Sequence, residues 1–230
     1  MARRADRVTG EPRDPAALAA ALLRDGLVVM DGYVLPPRVR ELIACAARRR
    51  DRGEFRAART GMPRAQLAER DTAIRGDRVH GARIRGDRIC WLAEPLFPAE
   101  RALLADLDGL RLMLNREGGL GVFALEAHYA EYPPGAGYAR HVDQLRGQDH
   151  RVVSLILYLN EAWHPRAGGQ LRLFDAGGGR AGDADAEGGY RDVEPVAGRL
   201  VCFLTAAREH AVLPTREPRL SVTGWLRRRD

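Results

Sequence analysis

The chain has 230 residues, 45% hydrophobic and 30% charged, long enough to bury a core without disulfide staples and unlike a collagen, a coiled coil or a disordered chain. The net charge of +6 comes from 37 arginines, with no lysine, set against 31 acidic residues. Because arginines alternate with aspartates and glutamates, and only 48–50 and 227–229 are runs, the charge reads as solvated surface and no nucleic-acid partner is expected.

Residues 1–13 are basic but lead into no apolar core, so a flexible tail is expected and a secretory leader is not. No apolar run approaches the length of a membrane span, the longest being 152–159 with Ser154 inside it. The expectation is a cytoplasmic protein with no membrane partner. Oligomeric state is not legible, and a monomer is the default. Cys45, Cys90 and Cys202 form no C-x-x-C pair and read as small core residues.

A single domain is expected over 14–230. Asp14-Pro15 ahead of an alanine- and leucine-rich stretch predicts a helix stopped at Gly26, followed by a short strand at 27–30. Pro36 or Pro37 opens a second helix through Arg50, with Val39, Leu42, Ile43 and Ala46 on one face. Residues 51–83 are polar without a period and read as a loop where a lid can sit. The segment 84–92 alternates like a strand, and helical periodicity returns at 98–114 until Asn115-Arg-Glu-Gly-Gly119 breaks it. From residue 120 the chain changes to short β-rich runs at 122–132, 138–143, 151–160, 170–174, 200–205, 210–213 and 220–226, with a glycine- and acid-rich loop at 175–189. Helices followed by many short strands predict an α+β protein: helical support over 14–119, and an antiparallel sandwich or barrel over 120–230 with the helices on one side.

The candidate chemistry lies in that second part. His141 and Asp143 are two apart on a predicted strand, hence on one face, and His210 lies on a later strand. Two histidines and one carboxylate form the facial set that leaves positions open on non-haem Fe(II). Arg219 enters the last strand, with Thr223 four residues on and on the same face; an arginine fork beside such a metal suits the remote carboxylate of a dicarboxylic cosubstrate. The phenols of Tyr158 and Tyr132 can donate to that carboxylate or simply fill the core. The remaining histidines, His80, His128, His150 and His164, read as surface or satisfied core, and Trp91, Trp163 and Trp225 as packing.

These residues carry a family resemblance. Tyr132-Pro-Pro-Gly-Ala-Gly-Tyr-Ala-Arg-His-Val-Asp143, Tyr158-Leu-Asn160, Gly168-Gly-Gln-Leu-Arg-Leu-Phe174 and His210-Ala-Val-Leu-Pro214 with Arg219 and Trp225 resemble the 2-oxoglutarate- and Fe(II)-dependent prolyl hydroxylases. The nearest likeness is to the hypoxia-inducible-factor prolyl hydroxylases and their bacterial relatives. Upstream, Ile84-Arg-Gly-Asp-Arg-Ile-Cys-Trp91 and Asp25-Gly-Leu-Val-Val-Met-Asp31 are similar to segments of the same group.

The resemblance implies a double-stranded β-helix, or jelly roll, with the N-terminal helices packed on one sheet. It implies that His141, Asp143 and His210 bind Fe(II), with 2-oxoglutarate and O2 as cosubstrates and ascorbate as a reductant. Arg219 would hold 2-oxoglutarate with Tyr158, Tyr132 and Thr223. Arg85, Asp87 and Arg151 would lie at the mouth, where a loop at about 67–87 covers a protein or peptide substrate bearing the target proline. Elongation factor Tu is the candidate substrate. Alternatives are free proline or a small metabolite under the same iron chemistry, or a non-catalytic jelly-roll sensor. Nucleic-acid dealkylation fits poorly, because Trp225 stands where that family has a second arginine. Glu209 stands where the nearest relatives have proline, which leaves substrate contacts open.

Overall fold

The computed structural model describes residues 15–58, 85–144, 150–175 and 189–229. The N-terminal tail, most of the expected lid and most of the 175–189 loop lie outside the described residues, as do His80 and the first residue of the Ile84 segment.

Helices α1 (Pro15–Asp25), α2 (Pro36–Asp51) and α3 (Pro98–Gly118) surround the early strands β1 (Leu27–Met30), β2 (Arg56–Ala57) and β3 (Arg88–Trp91). Then come β4 (Ala124–Tyr132), β5 (Tyr138–His141), β6 (Arg151–Tyr158), β7 (Leu171–Phe174), β8 (Tyr190–Val193), β9 (Leu200–Leu204), β10 (His210–Val212) and β11 (Arg219–Arg227). A seven-stranded sheet in the order β1-β9-β6-β11-β4-β3-β2 faces a four-stranded sheet in the order β5-β10-β7-β8. Every pairing between these strands is antiparallel. This is the expected jelly-roll arrangement, with helices against one sheet.

The side-chain period of two sorts the large sheet into its two layers. Val153, Leu155 and Leu157 of β6, Val222 and Leu226 of β11, and Ala127 and Tyr129 of β4 point toward Leu18, Leu22, Leu42, Leu103, Leu107 and Leu110 of the helices. The alternate residues Ile156, Tyr158, Ala130 and Tyr132 meet Leu171, Leu173 and Val212 of the small sheet. Burial on both faces explains why β6 reads as a continuous apolar run.

Several boundaries differ from the sequence expectation. Helix α3 continues through Asn115 to Gly118 and ends on Gly119 at φ 59. The Asn115 amide grips both the Val122 N–H, at 2.8 Å, and its carbonyl, at 2.7 Å. That tertiary bracket holds the last turn, and the left-handed glycine then ends it. Strand β8 pairs with β7 from Leu171↔Val193 to Phe174↔Tyr190; its Tyr-Arg-Asp-Val sequence shows too little alternation to announce a strand. The 48–50 run is not all solvated: Arg49 is 5% exposed and its guanidinium holds Glu100 through Nε at 2.8 Å and Nη2 at 2.7 Å. It falls three to seven residues after Leu42, Cys45 and Ala46 on the buried stripe of α2, so the helical period carries it inward with its counter-ion. All three cysteines are buried and free.

Candidate metal and cosubstrate site

Strand β5 ends at His141, so Asp143 sits in the bend beyond it and not on the strand as expected. The chain still delivers both side chains to one place. His141 Nε2 lies 3.5 Å from Asp143 Oδ1, and His210 Nε2 lies 3.7 Å from the same oxygen. The antiparallel pairing of β10 with β5 puts His210 directly opposite His141, and the three ligand atoms all lie within 4.8 Å of one another.

Each imidazole turns its other nitrogen to the backbone: His141 Nδ1 is 2.7 Å from the Ala139 carbonyl and His210 Nδ1 is 3.3 Å from the Arg208 carbonyl. A carbonyl only accepts, so Nδ1 carries the proton and Nε2 presents its lone pair to the centre of the cluster. Burial, then the neighbouring His141, pushes the His210 imidazole down to about 4, keeping it neutral near pH 7. Burial alone would raise the Asp143 carboxyl, but His210 and His141 hold it well below the usual carboxylate range. Two imidazoles that turn Nε2 inward, beside an ionised carboxylate, are what an intermediate, oxygen-and-nitrogen-binding divalent metal takes.

Glu209 acquires a role in this geometry. It accepts from Arg140 Nε at 2.8 Å, and the Arg140 guanidinium lies 4.0 Å over the Phe174 ring. One residue before each histidine ligand, a charged pair therefore crosses between the two strands that carry them.

Deeper in the barrel Arg219, 3% exposed, pairs in register with Tyr132. Its guanidinium carbon lies 5.0 Å from the ring centres of both Tyr132 and Tyr158. Nε donates to the Gly169 carbonyl at 2.9 Å and Nη1 to Ser221 Oγ at 3.4 Å. A Cβ on Gly169 would come within 2.9 Å of the Arg219 side chain, and its φ of +73 suits glycine besides. Among the described residues no carboxylate pairs with Arg219, and the Tyr158 hydroxyl is buried with no hydrogen-bond partner. A buried cation without an anion, beside a buried phenol without an acceptor, fits a carboxylate-bearing ligand. Thr223 lies on the same face, level with His128 and Ile156. Sequence reasoning missed Ser221, the hydroxyl next to the guanidinium, although its period-two spacing from Arg219 was visible.

Arg85 and Asp87, expected at the mouth, form a two-pronged pair at 2.7 and 3.0 Å, with Asp87 buried at 3% exposure. Arg85 also lies 4.8 Å over the Tyr138 ring, which stacks on His141 at 3.5 Å. A Cβ on Gly86 would strike Ala136 at 2.8 Å, so glycine permits this edge to close on the turn before β5. Arg151 is committed to neighbours: Nε to Glu126 at 2.9 Å, Nη1 to the Asp143 carbonyl at 3.2 Å, and its guanidinium 3.6 Å over Trp225.

His128 departs from the satisfied-core expectation. It is 2% exposed, lies between Trp91 at 4.8 Å and Trp225 at 5.3 Å, and its Nδ1 has no partner among the described residues. Both neighbours present apolar ring surface, so the strand register buries the imidazole where no acceptor is offered. Burial, then Arg85, pushes its pKa from 6.5 to about 4, with Arg151 acting the same way and Asp87 and Asp143 against. The unfolded chain therefore binds this proton first. The native state bears no penalty above pH 6.5, loses stability as pH falls below it, and reaches the full cost below about pH 4. The contribution at pH 5 amounts to about 2 kcal/mol. His128→Phe should remove that component, so its urea midpoint falls less than the wild type's between pH 7.5 and 5; parallel losses would contradict it. His164, by contrast, is on the surface beside Glu217 at 3.0 Å.

Residues 127–227 match the 2OG-Fe(II) oxygenase superfamily. The chain is 36% identical over 151 residues to human Egl nine homolog 1, covering 62% of this chain and 33% of that protein. It is 36% identical over 169 residues to mouse prolyl hydroxylase EGLN3, covering 69% and 66%. The chain thus spans about a third of the length of the first of these relatives. Among solved structures it is similar to a Pseudomonas putida prolyl-4-hydroxylase, with 40% identity, a TM-score of 0.76 and coverage of 94% of this chain and all of the other. A Trichoplax adhaerens prolyl hydroxylase, solved with a hypoxia-inducible-factor oxygen degradation domain peptide fragment, shares the fold at 23% identity, TM-score 0.72 and coverage of 93% and 90%.

Proposed function

The chain belongs to the 2OG-Fe(II) oxygenase superfamily, in its prolyl-hydroxylase branch, and from that membership we propose that it hydroxylates a prolyl residue in a protein. The proposed reaction would consume O2 and 2-oxoglutarate and yield succinate, carbon dioxide and the hydroxylated product. One observation carries the reading: a buried arginine with no counter-anion among the described residues shares the barrel interior with a convergent two-histidine, one-aspartate cluster.

In this reading His141, Asp143 and His210 hold the iron, which supplies the oxygen-activating chemistry when bound. Arg219 receives the remote carboxylate of 2-oxoglutarate, and the Tyr158 hydroxyl donates to it. Burial raises the Tyr158 phenol, against the pull of Arg219, so it keeps the proton it donates. Tyr132 walls the guanidinium on its other side, and Thr223 borders the same pocket. Arg85, Asp87 and Arg151 shape the mouth where a peptide enters, Arg151 by holding the Asp143 backbone and the Trp225 face. Ascorbate is the proposed reductant.

Elongation factor Tu is the proposed substrate. Purified elongation factor Tu incubated with the protein, Fe(II), 2-oxoglutarate and ascorbate should gain one oxygen on a proline by mass spectrometry, and His141→Ala should abolish the gain. No added oxygen would remove this substrate. Turnover on free proline with no peptide present would move the target to a small molecule.

A further inference from the structure

The run Val152 to Leu159, which holds most of strand β6, is apolar except at Ser154. Its hydroxyl lies in the core at 0% exposure, as does that of Thr205, the first residue after β9. Ser154 Oγ is 2.7 Å from Asp143 Oδ2, and Thr205 Oγ1 is 3.0 Å from Ser154 Oγ. We propose that Thr205 and Ser154 form a directed hydroxyl chain that positions Asp143, reserving its Oδ1 for the metal. The inference rests on the metal reading above and extends it to two residues that touch neither iron nor substrate.

The direction of the chain follows from donor counting. An ionised carboxylate only accepts, so Ser154 must give its one proton to Oδ2. Ser154 Oγ can then only accept from Thr205, which supplies the second proton. Two hydroxyls donating in the same sense polarise one another, and the bond to the carboxylate is the stronger for it. With Oδ2 occupied, Oδ1 is the oxygen left facing both histidines, 3.5 and 3.7 Å away. Asp143 has no strand to hold it, since β5 ends at His141. Its backbone is tied by Arg151 at 3.2 Å and its side chain by Ser154. A hydroxyl buried in an apolar strand is costly unless it is bonded, and this one meets its need through the ligand carboxylate and Thr205.

The test is an anaerobic titration of the full chain with Co(II), followed by visible absorbance, alongside melting of the metal-free protein. Removing a group that orients a metal ligand weakens affinity by about 10- to 100-fold, and Ser154→Ala should raise the Co(II) dissociation constant in that range. Ser154→Thr should restore it. Thr205→Val, which keeps the volume, should raise it by a smaller factor. The Ser154→Ala/Thr205→Val double variant should bind no more weakly than Ser154→Ala, because Thr205 acts through Ser154. A purely structural role would lower melting temperatures while leaving the Co(II) affinity of the folded variants unchanged, and that result overturns the inference. If Ser154→Ala does not fold, unchanged affinity in Thr205→Val overturns it equally. A wild type that takes up no Co(II) overturns the metal reading, and this inference with it.

Discussion

His141→Ala folds but neither retains Fe(II) nor hydroxylates; that is the expected result with the largest effect, and His210→Ala should reproduce it. Structural zinc sites with four ligands bind with apparent free energies of roughly 10–16 kcal/mol, about 3 kcal/mol or more per ligand. Losing one of three ligands therefore weakens metal affinity by about a hundredfold or more. His141 is the better first target, because it lies nearer the opening than His210, so alanine there costs less packing. Metal retention after desalting, measured by elemental analysis, checks the first half of the prediction, and succinate release the second. Full iron retention in both variants would show that the two histidines do not ligate.

The second large effect is confined to the cosubstrate. Arg219→Leu should raise the KM for 2-oxoglutarate by roughly 10²- to 10³-fold, since breaking a buried charge pair costs about 3–5 kcal/mol. Iron affinity should stay near that of the wild type, because the Arg219 guanidinium donates to Gly169 and Ser221 and, among the described residues, to none of the three metal-ligand candidates. Arg219→Lys should recover only part of the loss, because an ammonium cannot present the two parallel donors of a guanidinium. Without 2-oxoglutarate, Arg219→Leu should melt no lower than the wild type, which buries a cation with no anion among the described residues; adding 2-oxoglutarate should raise only the wild type's melting temperature. An unchanged KM in Arg219→Leu would refute the assignment.

What was legible in the sequence was local. His141 and Asp143 are two residues apart, and a spacing of two survives the finding that the strand stops between them. His210 could be joined to them because the residue types match a known ligand set, though no local rule says that β10 lies against β5. Ser154 was visible as the one polar residue in an apolar run, but its meaning depended on Asp143 and Thr205, 11 and 51 residues away. The Arg140–Glu209 pair spans 69 residues, and the use of Glu209 shows only when the two strands are side by side. Arg49 was misread for a similar reason: its acidic partner Glu100 belongs to a different helix.

By itself the sequence determined most of the element types, the change from a helix-rich first part to a β-rich second part, and an inventory of candidate metal- and carboxylate-binding residues, because periodicity, turn residues and motif spacing are short-range properties. Only the tertiary structure decided which oxygen of Asp143 faces the histidines, that among the described residues Arg219 lacks a counter-anion and His128 Nδ1 is buried without a partner, and that α3 runs on to Gly118. Each of these depends on what lies across a strand pairing or a helix contact, and the free energy of a buried polar group is set by those neighbours and not by its place in the chain.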